Sequence, residues 1–180
     1  MCGIIGIISD KDFSVKNTLL KSLKKLEYRG YDSCGFATIA GDYQKEKGYI
    51  KNIIDKCDDE KTLLGISQTR WATHGGVTKV NAHPHFSNDK NIFIVHNGII
   101  ENYEDMKKEL ISKGYKFVSE TDSEVIVHFI DEGLKQELTP KEVMKNFIDT
   151  ARGTFAVLWF EKSKNKLYAM KRDSPLVLGL

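Results

Sequence analysis

The order in which strand and helix patterns follow one another constrains the fold of this chain more than any other feature of the sequence. Strand-like segments occur in runs, and the helical patterns are grouped and do not alternate with them one for one. A doubly wound parallel sheet requires that alternation, so the order predicts an α+β fold of layered, largely antiparallel sheets. The expected strands cover residues 3–9, 36–40, 49–54, 64–71, 91–96, 154–160 and 167–171.

Four helices are expected from apolar residues that recur at helical spacing. They cover residues 15–26, ending near 28–30, then 101–113, 122–134 and 141–151. Gly114 is a typical C-terminal stop for the second helix. The last two helices follow the signature of a capping box, in which a hydroxyl and a glutamate satisfy backbone N–H groups. The predicted boxes pair Thr121 with Glu124 and Thr139 with Glu142, and Pro140 occupies the favoured first helical position.

Composition and charge exclude several classes of protein. With 180 residues, 41% of them hydrophobic and 29% charged, the chain has the length and composition of one globular domain. Its 27 basic and 25 acidic residues leave a net charge of +2, which gives no electrostatic reason to expect a nucleic acid or a membrane surface as partner. Three cysteines without a secretory signal favour a cytoplasmic location, and no Gly-rich phosphate motif indicates a nucleotide.

Cys2 is the first candidate for chemistry, because removal of Met1 would make it the N-terminal residue. A thiol and a free α-amino group on one residue form a self-contained nucleophile and base. The expected strand that follows would hold this terminus in the core. The alternative is a small buried cysteine without a catalytic role.

The segment Thr-Arg-Trp-Ala-Thr-His-Gly-Gly, residues 69–76, is the second candidate. Arg70 offers a bidentate cation for a carboxylate, and the hydroxyl of Thr73 can share that ligand. The glycine pair permits the backbone shapes of a loop that closes over a ligand. The alternative is a strand followed by a turn, with Trp71 in the core.

Asn97, Gly98 and Asp122 are candidates for the rest of a site. The side-chain amide of Asn97 and the backbone N–H of Gly98 can together donate to an oxyanion, although an Asn-Gly pair is also a common turn. Asp122 can accept an ammonium group, as can its neighbours Glu120 and Glu124, but acids are also favoured in the first turn of a helix.

Four histidines, His74, His83, His85 and His96, fall within 23 residues and raise the question of a metal. In an extended segment His83 and His85 would point to opposite faces, and no H-x-x-x-H motif is present. No metal and no cofactor are therefore expected.

Together these motifs resemble the class II glutamine amidotransferases, which are N-terminal-nucleophile hydrolases. The resemblance rests on the N-terminal Cys-Gly-Ile-Ile-Gly and on residues 26–33, 69–75, 81–85, 95–102, 119–122 and 174–180. Within that family, the residues of these motifs are most similar to those of the enzymes that aminate fructose 6-phosphate. Cys34 and Gly76 depart from the family pattern, which more often has alanine and a charged residue there.

The resemblance implies a four-layer αββα sandwich and a role for each candidate. Cys2 would attack the side-chain amide of L-glutamine, with Asn97 and Gly98 as the oxyanion hole. The remaining expected site residues bind substrate or hold the active site together: Arg70 with Thr73 for the α-carboxylate, Asp122 for the α-ammonium, Trp71 and His74 on the covering loop, Trp71 also as a gate for ammonia, and Arg29 beside the nucleophile. His83 is carried over only as a structural or interdomain residue.

Residues 2–180 are thus expected to form a glutaminase domain without its C-terminal part. The family's sugar-isomerase domains, which bind fructose 6-phosphate, would be the partner, and the parent protein is expected to be a homo-oligomer. Two alternatives stay open. The first is a silent fragment that binds glutamine or a synthase partner, and the second is another amide-cleaving enzyme that shares only the nucleophile.

Overall fold

Two antiparallel sheets of four strands form the centre of the computed structural model, which describes residues 2–54 and 61–179. The first sheet has the order β1-β4-β2-β3, with β1 (Gly3–Phe13), β4 (Thr62–Arg70), β2 (Ser33–Thr38) and β3 (Tyr43–Lys47). The second has the order β5-β6-β7-β8, with β5 (His85–Phe86), β6 (Ile92–Ile100), β7 (Gly153–Glu161) and β8 (Leu167–Arg172). The predicted antiparallel α+β fold is confirmed.

Helices cover the outer faces of both sheets. The helices are α1 (Val15–Lys25), a short α2 (Lys51–Ile54), α3 (Tyr103–Ser112), α4 (Glu124–Lys135) and α5 (Pro140–Thr150), with a 3-10 turn at Glu27–Arg29. Helix α1 packs on the first sheet, and α3, α4 and α5 pack on the second. The resulting order of layers is helix, sheet, sheet, helices.

The period-two alternation of β6 shows how one strand serves two layers. Phe93 and Val95 face the first sheet, in a core that also contains Leu64 and Ile66. Ile92 and Ile94 face the opposite way and pack against the helical layer. A strand buried on both faces reads as a continuous apolar run, which explains why this segment was recognisable in the sequence.

Residues 49–54 are not the expected strand, since α2 begins at Lys51. Ile50 and Ile53 are both buried in one cluster with Leu20 and Leu23 of α1. Two residues that are three apart share a face in a helical turn and lie on opposite faces in a strand. Packing against α1 therefore favours a helical turn here, although the β-branched residues of the segment favour a strand.

The expected capping box of Thr121 and Glu124 is also wrong. Helix α4 begins at Glu124 itself, after Ser123, and its N-terminus has no side-chain cap. The Glu124 carboxylate accepts hydrogen bonds from the preceding loop instead. By contrast, the box of Thr139 and Glu142 is confirmed, with both reciprocal bonds formed.

Asn97 and Gly98 lie inside β6 and not in a turn, so the turn interpretation is wrong. They pair with Ala156 and Phe155 of β7. Gly98 has φ +133°, and a Cβ atom there would collide with the carbonyl oxygen of Thr154. Only glycine permits this approach of β7 to β6. None of the described helices is long and apolar enough to cross a membrane.

Candidate active site

Cys2 lies at the start of β1, where Gly3 pairs with Thr69 of β4. Its Sγ accepts a hydrogen bond from the backbone N–H of Trp71 at 3.2 Å. Its carbonyl oxygen accepts from Nε of Arg29 at 3.2 Å and from Nδ2 of Asn97 at 3.1 Å. The residue is half-buried, and these bonds hold both its main chain and its thiol. Removal of Met1, which the proposed base requires, lies outside the described residues.

Burial raises the pKa of the Cys2 thiol above its usual value. The N–H of Trp71 and the charge of Arg70 act in the opposite direction, and Asp122 adds to the increase. The sulfur is therefore a protonated thiol at neutral pH. Attack on a carbonyl needs a proton acceptor nearby, because the thiolate is the nucleophile.

Arg70 ends β4 and holds the loop that follows it. Its guanidinium is buried and donates to the carbonyl oxygens of His74, Gly75 and Gly76, the last at 3.2 Å. Burial lowers the pKa of Arg70, and the negative charges of Asp122 and Asp32 raise it. Three of the five N–H donors of the guanidinium are used on the loop backbone.

The far end of this loop is attached to the segment that carries Asp122. Asn81 Nδ2 donates to the Gly76 carbonyl at 3.0 Å and to Glu120 Oε2 at 3.0 Å. The N–H of Gly76 donates to the same carboxylate oxygen, and the N–H of Glu120 donates to Asn81 Oδ1. Glu120, once a candidate for binding an ammonium group, therefore joins two loops.

Asp122 is buried beside the nucleophile. Its Oδ2 accepts from the backbone N–H of Ile100 at 2.8 Å, and its Oδ1 lies 3.4 Å from Ser123 Oγ. Only 4% of its surface is exposed. A carboxylate with oxygen lone pairs to spare in such a position can accept a cationic ligand.

Glu124 organises the segment before Asp122. Its carboxylate accepts from the N–H of Val118 at 3.0 Å, from the N–H of Ser119 at 2.7 Å and from Ser119 Oγ at 2.6 Å. His128 Nε2 lies 3.5 Å away on the next turn of α4. Burial would raise the pKa of Glu124, but the neighbouring His128 ring and the hydrogen bonds from Ser119 and Val118 lower it to about 2.

Lys45 on β3 holds the chain at the other side of the loop. Its Nζ donates to the carbonyl oxygens of Val80 at 2.9 Å, Ala82 at 2.9 Å and Pro84 at 3.3 Å. Burial lowers the pKa of Lys45 to about 8. The segment has no ladder partner of its own for these carbonyls, so the lysine supplies the donors.

Three of the four clustered histidines, His83, His85 and His96, are buried side chains. His83 and His85 do not point apart, because the chain is not extended at Pro84, and their ring centroids lie 4.5 Å apart. His96 Nδ1 lies 2.8 Å from Ser123 Oγ. Burial lowers the pKa of His83, His85 and His96. Within residues 2–54 and 61–179 no group of three or more metal-ligating side chains is arranged to hold an ion.

Two adjoining cavities meet at the nucleophile. Both are lined by Cys2, Trp71, Thr73 and Gly98. The smaller, ≈ 20 Å³, also contains Arg70, His74 and Asp122 on its walls, and the larger, ≈ 750 Å³, also contains Arg29 and Asn97. All nine residues predicted for the site are thus brought together around Cys2.

Sequence reasoning missed several residues that position these groups. Gln68 donates to the side chain of Asn97, Lys45 donates to the carbonyl oxygen of Ala82, and Asp32 accepts from the backbone beside Trp71. These contacts hold residues that form the site or adjoin it. Gln68 is a polar residue within the strand β4, but Ser67 and Thr69 beside it are polar as well, so the sequence pattern does not single it out. Asp32 accepts from the N–H of Ala72 at 2.9 Å, and nothing in its local pattern indicates that contact.

The comparisons with known proteins agree with this geometry. The family described as "Glutamine amidotransferase domain" matches residues 70–178. The chain therefore belongs to the glutamine amidotransferase domain family. A solved structure entitled "Structure of the allosteric regulatory enzyme of purine biosynthesis" has a TM-score of 0.75 and 25% identity, over 90% of this chain and 36% of that one.

The curated relatives narrow the resemblance to particular enzymes. A protein of Methanococcus maripaludis named glutamine--fructose-6-phosphate aminotransferase [isomerizing] is 46% identical over 190 aligned positions, covering 100% of this chain and 31% of its own length. A protein of the same name from Bacillus cereus is 45% identical and is covered over 30%. This chain spans about a third of the length of the relatives it matches.

Proposed function

We propose that this chain is a glutaminase, which hydrolyses L-glutamine to glutamate and ammonia through a thioester on Cys2. The observation that carries the proposal is the convergence of a thiol, a guanidinium and a buried carboxylate on one cavity, from Cys2, Arg70 and Asp122. Glutamine bears a carboxylate and an ammonium group at one end and an amide at the other. The cavity offers a partner of the right chemistry for each.

Binding would use both charged ends of the substrate. Arg70 and the hydroxyl of Thr73 bind the α-carboxylate, and Asp122 accepts the α-ammonium. The small cavity of ≈ 20 Å³ has room for about one water molecule. Glutamine therefore enters only when the loop that carries Trp71 and His74 moves, and that loop closes over it afterwards.

The reaction proceeds in two steps. The Cys2 thiol gives its proton to the α-amino group that loss of Met1 exposes, and the sulfur attacks the amide carbon. The second N–H of Asn97 Nδ2 and the N–H of Gly98 donate to the oxyanion. The C–N bond breaks, the amino group returns the proton, and ammonia leaves. Water then attacks the thioester, which releases glutamate and restores the thiol.

The relatives' names extend the proposal to the whole protein. We propose that residues 2–180 form one glutamine amidotransferase domain and that its ammonia passes to fructose 6-phosphate, held by sugar-isomerase domains. The product would be glucosamine 6-phosphate. The larger cavity, which is lined by Trp71 and reaches from Cys2 to residues 174–177, is the candidate path for the ammonia. A cytoplasmic location and a homo-oligomeric parent are part of the same proposal.

Replacement of the nucleophile tests the proposal. We expect Cys2→Ser to reduce ammonia release from glutamine on the order of 10⁴-fold or more. Cys34→Ala is the matched control, because Cys34 is buried and burial raises its pKa to about 12. This control should keep its activity.

Intact mass gives an independent measurement on the same chain. Loss of the Met1 mass and one adduct from an electrophilic glutamine analogue, prevented by excess glutamine, are expected. Because a serine hydroxyl can itself attack, Cys2→Ala is the decisive variant, and ammonia release that survives Cys2→Ala would rule out the nucleophile. Protected labelling without turnover would instead support a silent glutamine-binding fragment.

A further inference from the structure

An asparagine amide serves an oxyanion only if its nitrogen faces the reacting atoms. Oδ1 accepts and Nδ2 donates, and rotation of the amide by half a turn exchanges them. In this structure Nδ2 of Asn97 faces the nucleophile and donates to the Cys2 carbonyl oxygen at 3.1 Å. Something must fix that orientation, since β6 backbone pairing leaves the side-chain torsion free.

Gln68 contacts the other end of this amide. It lies on β4, in the opposite sheet, with 1% of its surface exposed. Its main chain is paired on both sides, with Ile4 of β1 and Gly35 of β2. Its Nε2 donates to Asn97 Oδ1 at 3.3 Å and also to the backbone carbonyl of His96.

The donors and acceptors around the Gln68 and Asn97 side-chain amides permit one orientation of each amide. The His96 carbonyl only accepts, so Gln68 must present Nε2 to β6. The same nitrogen then requires an acceptor from Asn97, which turns Oδ1 toward Gln68. Nδ2 is thereby directed at the Cys2 carbonyl, which again only accepts. Reversal of either amide would place two acceptor oxygens against each other inside the core, and neither could supply the missing proton. The observed orientation leaves one acceptor, Gln68 Oε1, without a partner among the described residues.

We propose that Gln68 is a positioning residue for the oxyanion hole, acting through the side-chain amide of Asn97. The inference rests on the proposed glutaminase function. One N–H of Asn97 Nδ2 is used on Cys2, and Gln68 keeps the other available to the developing oxyanion. Gln68 thereby links the two sheets at the point where the nucleophile and the hole meet.

Two substitutions with a matched control test this role. Gln68→Glu replaces the donor by an acceptor, so Asn97 turns Nδ2 toward residue 68, and we expect kcat to fall roughly a hundredfold. Gln68→Met removes the donor alone and should lower kcat about tenfold. KM for glutamine should stay within about twofold in both. Ser67→Ala is the control, because Ser67 is a buried neighbour on β4 without a hydrogen-bond partner in the described chain.

A double-mutant cycle separates positioning from general damage. In an Asn97→Ala background, Gln68→Met should cause no further loss of kcat. Losses that multiply, or a rise in KM that accounts for the whole effect, would overturn the proposal.

An activity-free measurement distinguishes this inference from the proposed function. In the nitrogen-15-labelled wild-type chain, the Asn97 side-chain amide protons should show nuclear Overhauser effects to Cys2 or Gly3. These effects should disappear in Gln68→Glu. Unchanged effects would overturn the role of Gln68 whatever the activity. Their loss in a chain that never hydrolyses glutamine would uphold the orientation and overturn the glutaminase.

Discussion

The two walls of the candidate site are built in different ways. The strand wall, Cys2, Asn97 and Gly98, belongs to or adjoins β1 and β6, whose backbones are held by strand pairing. The loop wall, residues 71–76 and 118–123, has no such ladder. Side chains hold its backbone instead, namely Arg70, Asn81, Glu120 and Glu124, while Lys45 holds the adjoining residues 80–84.

This difference follows from the need to satisfy backbone polar groups. A strand satisfies them through its neighbours, whereas an irregular loop that is partly buried needs side-chain partners. The strand wall carries the groups proposed to react, on backbones fixed by strand pairing. In the proposed function the loop wall moves to admit glutamine, and its binding geometry depends on a few anchors. We therefore expect changes in the strand wall to lower kcat and changes in the anchors to raise KM.

Of the three substitutions that test the difference between the two walls, Asn97→Ala should have the largest effect. This change removes the proposed donor to the oxyanion without touching the groups proposed to bind the charged ends of glutamine. We expect kcat to fall roughly 10²- to 10³-fold, while KM changes by less than about threefold. Steady-state ammonia release measures both. An equal effect on KM would remove the distinction between the walls.

Glu124→Gln should have the next largest effect, on stability and on KM together. The pKa of Glu124 is about 2, below its ordinary value of 4.5. A lowered carboxyl pKa means that the stabilisation is present above about pH 4.5 and is lost as the pH falls through about 2. The shift corresponds to about 3 kcal/mol of unfolding free energy at neutral pH. KM should rise about tenfold, because one displaced loop can cost that much or more.

Urea unfolding of wild type and Glu124→Gln across pH measures this difference. The gap in unfolding free energy should be widest at neutral pH and narrow between about pH 4.5 and 2. Glu142→Gln is the control, because glutamine also completes the capping box at Thr139. A gap that is independent of pH would show that the charge of Glu124 is not what holds the loop.

The smallest effect is expected from Lys45→Met. Loss of three donors to Val80, Ala82 and Pro84 should loosen the segment behind the loop and raise KM roughly threefold to tenfold. In the wild type, KM should also rise as the pH passes about 8, since a neutral amine has only two N–H donors for three carbonyls. This rise in KM at high pH should be absent in Lys45→Met.

Lys79→Met is the matched control for Lys45. Lys79 belongs to the same loop region but is exposed, and among the described residues its side chain forms one surface ion pair, with Glu46 at 3.3 Å. Its KM at neutral pH should match the wild type, and the rise in KM should move to a somewhat higher pH, because the charge of Lys79 helps to lower the pKa of Lys45. An equal change in both lysine variants would mean that charge near the loop, and not attachment of its carbonyls, sets KM.

Residues recognisable from the sequence were those with a local pattern. The apolar runs of β4, β6 and β7 and the amphipathic helices indicated a layered antiparallel α+β fold, and Thr139 with Glu142 formed its capping box. The strands β3 and β5 were missed. β3 is a charged edge strand, Tyr-Gln-Lys-Glu-Lys, and β5 has only two residues, so neither has an apolar period to detect.

The sequence by itself determined the fold class and the residue types of the site, because periodicity and short motifs are local properties. Only the tertiary structure decided that residues 49–54 contain a helical turn and not a strand, that Glu124 accepts hydrogen bonds from the loop before α4, and that Gln68 contacts Asn97. The contacts of Gln68 with Asn97 and of Lys45 with Ala82 join residues 29 and 37 positions apart. Such partners come together only when two sheets pack, and the unpaired backbone and amide groups at that junction select the side chains that satisfy them.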